Sequence, residues 1–314
     1  MKSKFYVLLA LFALYIGVCE ASDKPNSKFG GVQIGAITYS YRWMPEATIP
    51  AIADQVAASG VSSIELMGFP VEEYVGIPGG TTLKPFKKKG DAKAKKKYDE
   101  MLKKQHDWRV SVSMDKFKEI RKMFNEAGVK IDILKLGFPD FWTDEELDYA
   151  FNVAKTLGAC GLTMEISEKA AKRMAPLAKK HGMYVIFHNH LQPQDPNFSF
   201  DKVLACGDHV MLNFDVGHNV KATGKNPVDM LKKYHDRIAS IHLKDRVGPS
   251  NKAGNPDLPF GKGETPLKEI LLTIQQNHWD IPCHIEIEYK PESNSDSVKE
   301  VKKSVEYCRR ILEK

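Results

Sequence analysis

The chain has 314 residues, enough for one large α/β domain or two ordinary ones. At 42% hydrophobic and 27% charged residues it is composed like a folded globule, which excludes a disordered segment. Its formal charge of +6 is local, because residues 84–104 hold ten lysines against Asp91, Asp99 and Glu100. A near-neutral body carrying one basic insertion does not suggest a nucleic-acid partner. The run is read as a solvated loop, with steering of an anionic substrate as the alternative.

The chain opens with Lys2 and Lys4, an apolar run from Phe5 to Val18, and Cys19-Glu20-Ala21. That is the layout of a secretory signal, and cleavage is expected after Ala21. The run is shorter than the roughly 20 residues of a membrane span, so no stable insertion is expected after cleavage. A lipoprotein anchored at Cys19 would need a small residue where Val18 stands. The remaining chain, 22–314, is expected to be exported, periplasmic or secreted. Its cysteines, Cys160, Cys206, Cys283 and Cys308, are too scattered for a disulfide framework.

From there a unit recurs: an amphipathic helix, a glycine stop and an apolar strand. Gly60 precedes VSSIEL, Gly128 precedes VKIDILKLG, Gly158 precedes ACGLTMEIS and Gly182 precedes MYVIFHNH. Glycine takes the left-handed conformation past a helix end without steric cost. The pattern predicts strands at 32–38, 62–67, 129–136, 160–165, 183–188, 209–214, 238–243 and 283–288. Helices are predicted at 47–58, 111–127, 143–157, 168–181, 199–206, 227–235, 265–277 and 296–312. Eight such repeats without a Gly-rich phosphate loop predict a single-domain (β/α)₈ TIM barrel, with an open doubly wound sheet as the alternative. Two long loops, 68–104 and 245–262, follow strands and therefore fall on the face where barrel active sites form. The first is expected to cover the barrel mouth.

Polar residues gather at the predicted strand ends. Strand four ends in Glu165, strand five in His188-Asn189-His190, strand six in Asp215-Val216-Gly217-His218, strand seven in His242-Leu243-Lys244-Asp245, and strand eight in Glu286-Ile287-Glu288. A buried apolar strand has no packing reason to finish in carboxylate and imidazole. Glu165, Asp215, His242 and Glu286 form a mixed N/O set suited to one divalent ion, Mn²⁺ first, with Zn²⁺, Co²⁺ or Mg²⁺ as alternatives. Glu286 and Glu288 share a strand face, and one of them suffices as ligand. His188 and His190 are read as donors behind the ligands, substrate contacts or loop caps.

These motifs resemble the sugar phosphate isomerase/epimerase superfamily, the xylose-isomerase-like TIM barrels, and within it inosose dehydratase. HNH at 188–190, DVGH at 215–218, HLKD at 242–245 and the near-terminal IPCHIEIEY carry the likeness. The resemblance implies metal binding by Glu165, Asp215, His242 and Glu286, and its alignment of the last strand favours Glu286 over Glu288. It implies a small sugar or keto-sugar substrate, and enolisation next to its carbonyl with Glu165 and Glu286 as candidate bases. His188, His190, His218, Lys244, Glu65 and Glu288 are then expected at the substrate. Isomerisation or epimerisation is the first outcome considered, and β-elimination by a keto-glycoside lyase or dehydratase the alternative. An endonuclease IV-like DNA-repair enzyme, which would carry three zinc ions, and a non-catalytic carbohydrate-binding barrel are the readings from other classes. The export signal and the lysine-rich insertion depart from the family pattern, and export argues against a phosphorylated substrate.

Overall fold

Among the described residues eight parallel strands close on themselves: β1 (Val32–Ile37), β2 (Ser63–Met67), β3 (Lys130–Lys135), β4 (Gly161–Glu165), β5 (Tyr184–His188), β6 (Val210–Asp215), β7 (Ile238–Leu243) and β8 (Cys283–Ile285). Each pairs with the next, and β8 pairs with β1 through Cys283–Ile34 and Ile285–Ala36. The computed structural model describes residues 24–85, 92–251 and 257–314. The expected signal segment 1–21 and Lys87, Lys88 and Lys89 of the basic run lie outside the described residues. Among the described residues, no helix is long and apolar enough to cross a membrane.

Alternation along the strands divides the barrel into two environments. Outward residues such as Ile34, Ile64, Leu162, Val185, Ile241 and Ile285 are fully buried under the helices. The helices between strands fall close to the predicted stretches, including α5 (Asp144–Leu157), α6 (Glu168–His181) and the C-terminal α11 (Ser297–Leu312), with the numbering following chain order from α1 (Ile49–Ala58). Gly158 and Gly182 end α5 and α6 with φ of 86° and 62°, as the glycine stops require. A reciprocal cap between Thr143 and Glu146 starts α5. Among the described residues the four cysteines are free; Cys283 and Cys308 are buried and Cys160 is exposed.

The structure departs from the sequence reading in three places. Strand eight leaves the hydrogen-bonded ladder at Ile285 rather than at residue 288, although Glu286 still donates its N–H to the Leu243 carbonyl. The DVGH segment turns at once into α8 (Val216–Thr223). The 68–104 insertion is not all loop: α2 (Gly68–Val75) and α3 (Ala92–Arg109) make up much of it. Arg109 anchors α3 to the outer ring. Its buried guanidinium donates to Glu72 at 2.8 and 3.1 Å and to Glu146 at 2.8 Å, and it lies 4.1 Å from the Trp142 ring.

Candidate metal centre

Inward residues of β7 and β8 meet in tiers along the barrel axis. Lowest, Ser240 lies 2.8 Å from His284 Nδ1, and His284 Nε2 lies 3.1 Å from Asp132 across the barrel. Gly35 makes room for this imidazole, since a Cβ there would sit 2.3 Å from its ring. One tier up, His242 Nδ1 meets Glu286 at 2.9 Å and Nε2 meets Glu65 at 2.6 Å. At the mouth, Lys244 donates to Glu288 at 2.7 Å and meets His218 Nε2 at 2.9 Å.

The motifs are explained by what their members brace. Asp215 caps α8, its Oδ1 accepting the His218 N–H at 2.6 Å, which aims Oδ2 at the barrel axis. A Cβ on Gly217 would lie 2.6 Å from the Lys244 carbonyl, so the turn requires glycine. Asn189 locks β5 to β6 by accepting the Asp215 N–H at 3.0 Å and donating to the Asp215 carbonyl at 3.1 Å. Asp245 accepts backbone N–H groups of Gly261, Lys262, Gly263 and Thr265 and thereby closes the loop after β7.

The donors that converge are His188, Asp215, His242 and Glu286, all buried, with one ligand atom from each within 4.8 Å of the others. His188 Nε2 lies 3.4 Å from Asp215 Oδ2 and 4.0 Å from Glu286 Oε2, and His242 Nδ1 lies 3.9 Å from Asp215 Oδ2. Such separations suit donors about 2.1 Å from one shared ion. Both His188 nitrogens and Asp215 Oδ2 are buried without a hydrogen-bond partner, a costly state that a cation would relieve. The residues therefore fit a divalent ion. Lys244 competes for Asp215 at 3.2 Å and Glu286 at 2.9 Å, but Glu288 remains available to it.

Three expected ligands meet here; the fourth, Glu165, falls instead in a second, more exposed group of possible ligands with His188 and His190. Glu165 is half exposed and turns to Lys135 at 2.9 Å and to His190 Nδ1 at 2.8 Å, with His188 between it and the cluster. Lys135 ends β3 just as the other polar residues end their strands, and it pairs with Glu165. Glu65, expected at the substrate, lies fully buried behind His242. His190 is 44% exposed at the mouth, and Glu288 is the outer partner of Lys244. The sequence reading missed Lys135, Asn213 and Arg246; period-two alternation from Asp215 back to Asn213 would have flagged the second.

Charge follows from these contacts. Burial would push His242 down, but Glu65 and Glu286 raise it to about 10. Burial works against the Asp215 and Glu286 carboxylates, yet Lys244 and the imidazoles hold both well below the usual range. His218 is lowered to about 3, by burial first and then by Lys244 and Arg246 against the pull of Asp215; it is neutral. Glu165 is likewise kept ionised against burial by His188, His190 and Lys135.

A family model described as xylose isomerase-like TIM barrel matches residues 162–311, the stretch that contains all four converging donors. Inosose dehydratase of Clostridium botulinum (strain Alaska E43 / Type E3) is 32% identical over 135 residues, 38% of this chain and 45% of the relative. Inosose dehydratase of Clostridium beijerinckii is 38% identical over 126 residues, 38% of each chain. The aligned part is less than half the length of these relatives. A sugar phosphate isomerase/epimerase from Parabacteroides distasonis superposes with TM-score 0.58 at 18% identity, covering 90% of this chain and 96% of that one. Residues 162–311 thus resemble the xylose isomerase-like barrels in sequence, and the described residues fold as a closed eight-stranded TIM barrel.

Proposed function

We propose that the chain is an exported, divalent-metal-dependent enzyme that removes the proton α to the carbonyl of a sugar or keto-sugar and completes a β-elimination. The cluster of His188, Asp215, His242 and Glu286 carries the reading, and the named relatives, inosose dehydratases, favour elimination. A divalent ion bound there would polarise the carbonyl and lower the pKa of the adjacent C–H. Glu165, ionised, half exposed and not one of the four buried donors, is the general base in this reading. His190 orients it, and Lys135 keeps it charged. Lys244, buried beside His218 and Glu288, offers an N–H donor to a departing β-oxygen.

Isomerisation or epimerisation is the second reading. Glu165 and Glu286 flank His188 at 3.8 and 4.0 Å, so two carboxylates could serve two faces of one substrate. Incubating the Mn²⁺-loaded protein with keto-inositols, keto-glycosides and free ketoses, before and after chelation, separates the two. Metal-dependent formation of an unsaturated carbonyl product supports elimination, and metal-dependent isomers without it support the second reading. Turnover that survives complete chelation would overturn both. Export is tested by expression with the native N-terminus: a mature protein beginning at Ser22 outside the cytoplasm is expected, and an intact Met1 inside the cell would contradict it.

A further inference from the structure

We infer that Glu65 is a positioning residue: its carboxylate grips Nε2 of His242, so that Nδ1 is the nitrogen presented to an ion held with His188, Asp215 and Glu286. The inference rests on the metal-dependent reading above and adds a residue from β2, outside the stretch matched by the family model.

Glu65 has no exposed surface, and its Oε2 lies 2.6 Å from His242 Nε2 and 2.7 Å from Asn213 Nδ2. A carboxylate only accepts, so Nε2 must carry the hydrogen. Asn213 Nδ2 lies 3.0 Å from the same nitrogen, but it too is a donor and finds its acceptor in Glu65. The other ring nitrogen faces the cluster, 2.9 Å from Glu286 and 3.9 Å from Asp215; without an ion it too carries a hydrogen toward Glu286, and this is the proton that an ion would displace. Glu65 thus fixes the ring's rotation and tautomer and makes Nδ1 a stronger donor, as carboxylates behind metal-bound histidines do. Buried below the cluster, it has no surface left for a substrate.

Two measurements test this. In full-length protein labelled with ¹⁵N-histidine and loaded with Zn²⁺, His242 should keep its proton on Nε2 and show a coordinated Nδ1. Coordination through Nε2 would overturn the inference, and this readout needs no variant to fold. Glu65→Leu, checked for folding by circular dichroism, should then bind Mn²⁺ roughly 10–100-fold more weakly, and Glu65→Gln, which keeps an acceptor, should recover most of that loss. Wild-type affinity in folded Glu65→Leu, with binding still lost in Asp215→Ala, would overturn the inference and leave the metal reading standing. Failure of the wild type to bind either ion would remove both.

Discussion

Asp215 shows how much chemistry one side chain can carry. One oxygen starts a helix and the other faces the cluster, so the DVGH motif couples folding to ligand geometry. The types of residue at the strand ends were legible in the sequence, and the donor set was legible only in part. His188 and His190 look equivalent on a period-two strand, yet β5 stops at His188, leaving that ring buried and His190 at the mouth. Asp215→Ala, His242→Ala and His188→Ala should therefore each lose bound Mn²⁺ by elemental analysis of washed protein, while Glu165→Ala should retain it. Metal lost with Glu165→Ala and kept with His188→Ala would restore Glu165 as ligand. Lower in the barrel, burial raises the Asp132 carboxyl, but His284, Lys130 and Ser63 lower it from 3.8 to about 2. Because the folded value lies below the unfolded one, this stabilisation is complete at pH values above about 4 and is lost as pH falls through about 2. Asp132→Asn should cost roughly 1–3 kcal/mol at neutral pH, as loss of a buried charged hydrogen-bond acceptor does. Denaturant titrations should show the gap to wild type narrowing toward acid. A gap independent of pH would assign the cost to packing.

At the scale of elements, strands and helices followed from alternation and glycine stops because each buries one face against the next layer. The lysine-rich stretch hid α3 for the opposite reason. A helix whose exposed positions are mostly lysine has little apolar stripe to read, and it is held through buried Gln105 and Arg109. Gln105 donates to the Pro78 and Thr81 carbonyls at 2.8 and 2.7 Å, while Glu72 also accepts from Tyr149 at 3.1 Å and from Thr82. Arg109→Leu leaves two buried carboxylates without their guanidinium and should cost roughly 3–5 kcal/mol. That would lower the melting midpoint by roughly 5–8 °C for a chain of this size. Arg109→Lys should not restore it, because one ammonium cannot replace the planar fork that reaches both glutamates. An unchanged midpoint in either variant would mean that α3 is held by other contacts.

The described residues are built on a closed sheet whose outward face is apolar and whose inward face is polar from the Ser240–His284–Asp132 tier up to the mouth. That division explains why strand sequences rich in Ile, Leu and Val end in histidine and carboxylate, and why the barrel could be read from sequence. It also limits what sequence alone could tell, since contacts across the barrel, such as His284 to Asp132 and His242 to Glu65, join residues 152 and 177 positions apart. In the proposed function this mouth takes a proton from the carbon next to a carbonyl. The most direct test is turnover of a productive keto-sugar or keto-inositol in deuterated water with Mn²⁺, following the α-carbon by NMR. Solvent deuterium should enter at that carbon, or an α-deuterated substrate should turn over with a primary isotope effect, and the rates of exchange and turnover should fall by roughly 10²–10⁴-fold in Glu165→Gln. Product formed with neither solvent label nor isotope effect at the α-carbon would contradict the account.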